Sequence, residues 1–350
     1  MKSAFLVLTC LSLVLRSHAA NFTTTVAQPI GSSWNDTIWQ PGPTVPTAGN
    51  TYEVLNGGLV RNPAIISSTF PGDSLQLDTN TILRMKPPQD GTTTTVRFPG
   101  VNGAPGLILN GGGVDPGSVN TTFVVAGKVL VAADSLILGP TVDYNRNVIF
   151  AASLSGAGNI TVQNFFNNSG VTVQSVSNDF SGDWILKSGR LTGVAEGSLG
   201  TGSFVVAAGS RLEILYDIKT PGALNLDGVM ALSNDCEVSG VIVSGTPLPA
   251  GTYPYADLNT RFPSNFTTTG SGSIRVVPAE VSLSISQSGN AISIQFKTTV
   301  AHKYTLESAA SLDEPISWTN AGATIDGDGG IKTITESISG AAEYFRVRVE

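Results

Sequence analysis

The sequence predicts an all-β chain, a β-solenoid followed by a small antiparallel β-sandwich. Three observations carry this. Beyond the first twenty residues, no apolar spacing of three and four residues is sustained. Short runs of Val, Ile, Leu, Thr and Phe recur instead, cut by Gly, Pro, Asn and Asp. Those runs repeat at intervals of roughly 20 to 30 residues, the period of stacked repeat architectures.

Taken in order, residues 1–19 read as a secretory signal. Lys2 is basic, Ala4 to Leu15 is an apolar run, and Ser17 and Ala19 are small residues before a cut. The run is shorter than the roughly 20 residues that span a bilayer, and no second such stretch follows. A lipidated Cys10 is the weaker reading, because Thr9 and a very short preceding run fit it poorly. The expected product is therefore exported, extracellular or at the cell surface, with no transmembrane segment after cleavage.

Residues 20–278 form the expected solenoid. Val131 to Leu138 matches Val206 to Ile214 with one insertion, and Phe70 to Leu77 is a looser copy. A second theme ends an apolar strand in Asn56-Gly57, Asn110-Gly111 or Asp227-Gly228, corners that suit left-handed backbone angles. In a stack, these corners are expected to form a side-chain ladder. Sandwich-like turns would explain the same residues, but a sandwich needs tight two-residue hairpins and clean alternation. Each layer of a stack hides its neighbour's apolar face, and an uncapped end invites head-to-tail self-association.

Residues 279–350 change character. Longer alternating strands are predicted at Val281 to Ser286, Ala291 to Thr298, Lys303 to Glu307, Ile331 to Ser337 and Tyr344 to Val349. The last places Phe345, Val347 and Val349 on one face and Arg346 and Arg348 on the other. The best helical candidate in the chain, Leu306 to Leu312, is two turns at most.

The middle of the chain resembles a known repeat. Leu154-Ser155-Gly156-Ala157-Gly158-Asn159-Ile160-Thr161-Val162 is followed by Asn178-Asp179-Phe180-Ser181-Gly182-Asp183-Trp184, then by Gly189-Arg190-Leu191 and Gly197-Ser198-Leu199-Gly200. This order resembles the autotransporter-associated β-strand repeat over roughly residues 150 to 215. Pro247-Leu248-Pro249-Ala250-Gly251-Thr252-Tyr253 resembles the stretch that closes such repeats. The resemblance implies a right-handed parallel β-helix in a bacterial secreted or surface protein, structural or adhesive in role. The chain leaves no room for a C-terminal membrane barrel, so the autotransporter plan itself does not apply.

Composition narrows the chemistry. The chain has 19 basic and 26 acidic residues, and the loss of Lys2 and Arg16 with the signal leaves 17 against 26. The basic residues are scattered, which excludes nucleic acid and anionic membrane as partners. Only 13% of residues are charged, well below the usual quarter. A surface of Thr, Ser, Asn and Gly fits weak polar contact with extracellular polysaccharide or with copies of the chain. Cys236 is the one cysteine beyond the signal, so no disulfide is expected, and it reads as a small buried hydrophobe. His302, the one histidine beyond the signal, reads as a surface residue, and a nucleophile–histidine site or a histidine zinc site lacks partners.

The expected role is non-catalytic. The alternatives are a polysaccharide lyase or glycoside hydrolase using Asp179 and Asp183 with Lys187 and Arg190 nearby, or a carbohydrate-binding module. Turn capping is the competing account of Asp179 and Asp183. No cofactor is expected. Asp326-Gly327-Asp328 echoes a Ca²⁺ loop but lacks its later Glu, so a hairpin turn is the competing account. Trp34, Trp39, Tyr52, Tyr253 and Tyr255 are candidate sugar-stacking rings, with Trp34 and Trp39 alternatively capping the first layer. Asn21, Asn35, Asn120, Asn159, Asn167 and Asn265 begin N-x-Ser/Thr sequons, meaningful only in a glycosylating host.

Overall fold

The computed structural model describes residues 20–24, 32–42, 44–55, 57–117, 120–139, 145–166, 169–176, 178–277, 283–289, 291–298, 302–328, 330–337 and 344–349. The expected signal region at 1–19, Asn56, Asn167 and the expected boundary at 278–279 lie outside them. The chain is all-β, with long and mostly parallel sheets compatible with a β-helix or solenoid.

Short strands follow one another around three faces. From Leu107–Asn110 on the first, the chain passes to Gly113–Asp115 on the second. It then enters Thr121–Ala133, which pairs on the third face and continues onto the first. That 13-residue strand joins first and third faces into one 15-stranded sheet. It turns at Gly127, where φ is +106° and a Cβ would meet the Phe98 carbonyl oxygen at 1.9 Å. The next circuits run through Ser135–Leu138, Arg146–Phe150, Ser153–Gly156, Ile160–Gln163 and Gly170–Val173. Each strand pairs in parallel with its counterpart one circuit earlier: Leu136 with Thr161, Thr161 with Ile185, Ile185 with Val205.

Alternation explains the burial. Phe123, Phe150, Ile160, Trp184, Phe204 and Leu224 point inward and are almost completely buried, part of one hydrophobic cluster extending from Trp34 to Val276. A second, smaller cluster of Ile292, Ile294, Phe296, Tyr304 and Leu306 sits between the antiparallel sheets of the C-terminal unit.

At both ends of the stack, antiparallel segments lie on outermost strands. At the start, Trp39–Gln40 runs antiparallel on Asn21–Thr24, and Ser33 bridges Arg61 on the second face. At the finish, Thr246–Leu248 and Gly251–Pro254 run antiparallel on the last strands, and Leu258 of the helix Tyr255–Arg261 is buried against them. This helix falls outside the expected candidate. Asp257 in its first turn and Arg261 in its last complement the helix dipole. The expected helical segment is instead part of strand Lys303–Ala309, held between Tyr344–Val349 on one side and Thr319–Asn320 and Ile325–Asp326 on the other.

Candidate functional site

The corner leading into the second face is built from one polar side chain per circuit. Asp134 Oδ1 accepts the Asn159 amide at 2.9 Å, Asn159 Oδ1 accepts the Asp183 amide at 2.9 Å, and Asp183 Oδ1 accepts the Ser203 amide at 2.7 Å. Ser203 Oγ then accepts from Ala223 at 3.1 Å, and the steps between partners are 25, 24, 20 and 20 residues. Beneath these side chains the backbones nearly touch. A Cβ on Gly182 would stand 2.0 Å from the Gly158 carbonyl oxygen, and one on Gly202 would stand 1.9 Å from that of Gly182.

The expected ladder of Asn56, Asn110 and Asp227 is therefore corrected. Asn110 Nδ2 donates to Asp78 at 2.8 Å on the first face, while Asp227 follows Leu224–Leu226 at the corner between second and third faces. The sequence signal for the true ladder is Gly158-Asn159-Ile160, Gly182-Asp183-Trp184 and Gly202-Ser203-Phe204.

Asp179 and Asp183 fall on opposite sides of this corner. Asp179 is exposed on Asp179–Phe180, paired with Ser155 on the first face, and Asp183 caps the next layer. Lys187, exposed, lies beyond Trp184–Leu186 on the second face. The Asp183 carboxylate is thus held by a backbone amide of the neighbouring circuit.

Among the stacking candidates, Trp34, Trp39 and Tyr52 are buried, which removes their faces from any sugar. Trp34 meets Phe70 and Phe98 edge-on at 5.4 and 5.9 Å, and Trp39 meets Tyr52 at 5.0 Å. Tyr253 and Tyr255 are half-buried, their hydroxyls donating to the carbonyls of Pro249 at 2.9 Å and Thr267 at 2.7 Å.

The turn that echoes a Ca²⁺ loop is neutralised by lysines. Lys303 Nζ is 2.7 Å from Asp326, and Lys332 Nζ is 2.5 Å from Asp328. The Lys332 ammonium, with the Gly330 amide, lowers the Asp328 pKa to about 2. Among the described residues no three His, Cys, Asp or Glu converge as a metal site.

His302 is corrected from a surface to a buried position, its Nε2 against the Ser239 carbonyl oxygen where the C-terminal unit meets the stack. The residues beside it in sequence are polar, and the group that buries it lies 63 residues away. Cys236 is buried with a free thiol whose pKa burial pushes up to about 12. Asn265 is also buried, donating to the carbonyls of Leu226 and Gly228, which removes it as a glycan acceptor.

An outward depression of about 390 Å³ lies on the last strands of the stack. Lys219, Glu237 and Arg275 face it side by side from adjacent parallel strands, and Asp217, Asp235 and Ser273 form the rung beside them. Glu237 holds Lys219 Nζ and Arg275 Nη1 at 2.8 Å each, and its pKa is lowered chiefly by the hydrogen bond from Lys219. The Glu237 side chain is 21% exposed, against 82% for Lys219 and 60% for Arg275, so the cations reach solvent over the carboxylate. Asp217 Oδ1 accepts the Asp235 amide, and Asp235 Oδ1 accepts the Ser273 amide and hydroxyl, each at 2.9 Å. The rim thus offers donors and acceptors at the spacing of β-strands, about 4.8 Å. None of these residues stands out in the sequence, because 38 residues separate Glu237 from Arg275.

A third polar row crosses the first face. Gln76 Nε2 donates to Glu53 and Asp78 at 2.9 Å each. Burial first, then the hydrogen bond and charge of Asp78, raise the Glu53 pKa.

In comparison with known proteins, no family model, no curated protein and no solved structure matches the chain. Among the described residues no helix is long and apolar enough to cross a membrane.

Proposed function

We propose that the chain is an exported right-handed parallel β-helix of the autotransporter-associated-repeat kind, a non-catalytic extracellular or surface scaffold that holds polysaccharide. The observation that carries the reading is the fate of six outward carboxylates. Asp134, Asp183, Asp217 and Asp235 accept amides of the next layer, while Asp115 and Glu237 pair with cations of adjacent strands. A carboxylate held this way builds the stack, whereas a glycosidase acid must be poised to give up a proton. The exposed heads of Lys219 and Arg275, with the free oxygens of Asp217 and Asp235 beside them, suit the hydroxyls of a neutral sugar.

A glycan array combined with reducing-end and unsaturated-product assays tests this. Binding without turnover, weakened by Lys219→Ala and Arg275→Ala, is expected. Turnover lost in Asp179→Ala or Asp183→Ala contradicts it and restores the lyase or hydrolase alternative. Export is tested by N-terminal sequencing of the secreted protein, which is expected to begin at Ala20.

A further inference from the structure

The depression on the last strands is ruled by two straight rows. Its floor is made of four strands side by side: Ile218–Lys219, Cys236–Val238, Ser273–Val276 and Gly251–Pro254. Lys219, Glu237, Arg275 and Thr252 form one row across them, paired strand by strand. Asp217, Asp235 and Ser273 form the other, and Ile218, Cys236 and Ile274 between the rows turn inward and are buried. Both rows run along the stack with one residue per strand, about 4.8 Å apart. Along a single strand, outward positions recur only every second residue, about 6.7 Å, and each strand is two to four residues long. A linear ligand therefore meets both rows in full only when it lies along the stack.

The order of charge in the first row sets a period. Cation, carboxylate and cation alternate, so Lys219 and Arg275 stand two strands apart, about 10 Å, and both bind the less exposed Glu237 between them. The second row offers the carboxylate oxygens of Asp217 and Asp235 that hold no backbone amide.

We infer that the depression takes a neutral β-1,4-linked glycan of the glucose type, lying along the stack with one sugar ring per strand. This deepens the polysaccharide-holding function proposed above and rests on it. In such a chain each ring is turned over relative to the last, so the chain is straight and repeats every second ring, close to the spacing of Lys219 and Arg275. Its equatorial hydroxyls point to both sides, where the rows stand. They accept from the ammonium and guanidinium on one side and donate to the carboxylates on the other. An α-1,4-linked chain coils away from straight rows. Charge selects a neutral ligand, because Asp217, Asp235 and Glu237 outnumber Lys219 and Arg275 in the depression, and acidic residues outnumber basic ones in the chain by 26 to 19. None of the described residues that line the depression is aromatic, so linkage geometry and hydrogen bonding, rather than ring stacking, supply the selectivity.

Titration calorimetry of the full chain with cello-oligosaccharides of increasing length, from the disaccharide to the hexasaccharide, tests this. Malto-oligosaccharides vary the linkage, and β-1,4-linked oligoglucuronates vary the charge. Affinity is expected to rise about tenfold from the disaccharide to the trisaccharide, the worth of one further charge-assisted hydrogen bond, as Lys219 and Arg275 are engaged together. It is expected to rise less at the tetrasaccharide, which reaches Thr252, and to level beyond. Lys219→Met and Arg275→Met are each expected to abolish the step to the trisaccharide with melting unchanged. The malto-oligosaccharides and oligoglucuronates are expected to bind more weakly than cello-oligosaccharides of equal length. Affinity indifferent to length, a step that survives in Lys219→Met, or equal or tighter binding of either comparison series overturns the inference and leaves polysaccharide holding in place. Binding of a different glycan on an array, with none to cello-oligosaccharides, does the same. A chain that binds no glycan at all overturns both.

Discussion

Asp183 acts at one corner as two groups: its amide is held by Asn159 below and its carboxylate holds the Ser203 amide above. Removing that carboxylate leaves a backbone donor without its acceptor, a loss of about 1–3 kcal/mol. Asp183→Ala is therefore expected to lower the denaturant midpoint with an unchanged m-value, and without changing any sugar-binding signal. Titration separates two other carboxyls. Glu53 has a raised pKa, so its proton stabilises the fold at low pH, and that contribution is lost as pH rises through the folded value. Asp328 does the reverse: its contribution is present above 3.8 and is lost as pH falls toward about 2. Glu53→Gln is expected to raise the melting temperature at neutral pH, with the advantage shrinking in mild acid. Asp328→Asn is expected to lower it at neutral pH, with the difference disappearing at the acid end.

Elements pack here through backbone contact as much as through side chains. Gly158, Gly182 and Gly202 let successive corners close on one another, and no larger residue fits between the facing carbonyls. Gly182→Ala is expected to cost about 1–3 kcal/mol by forced displacement of the layers, read as a lower thermal midpoint, whereas Gly209→Ala meets no atom within 4 Å and is strained only by its φ of +82°. Strand identity was legible because apolar alternation is a local signal, as in Ile331–Ser337 and Tyr344–Val349. Corner identity was not. The similar segments at Phe70, Val131 and Val206 sit at three different corners: third to first, first to second, and second to third face. Likeness among them marks the chemistry of turning, strand–small residue–strand, and carries no phase around the stack.

At the scale of the molecule, the class of fold follows from absent helical periodicity and recurrent Gly-bounded strands, and the long parallel sheets agree with it. The buried His302 and the Lys219–Glu237–Arg275 row depend on contacts between distant segments, which composition and spacing do not encode. The helix Tyr255–Arg261 escaped because it is seven residues long and buries only Leu258. The account rests on circuits that are interchangeable layers. Excising residues 160–183 tests this most directly, because it joins Asn159 to Trp184, one corner to its equivalent 24 residues on. Calorimetry of the shortened chain is expected to give one cooperative transition for the stack at a lower midpoint, with β-rich circular dichroism retained. A chain that no longer folds cooperatively would contradict the stacked-layer architecture.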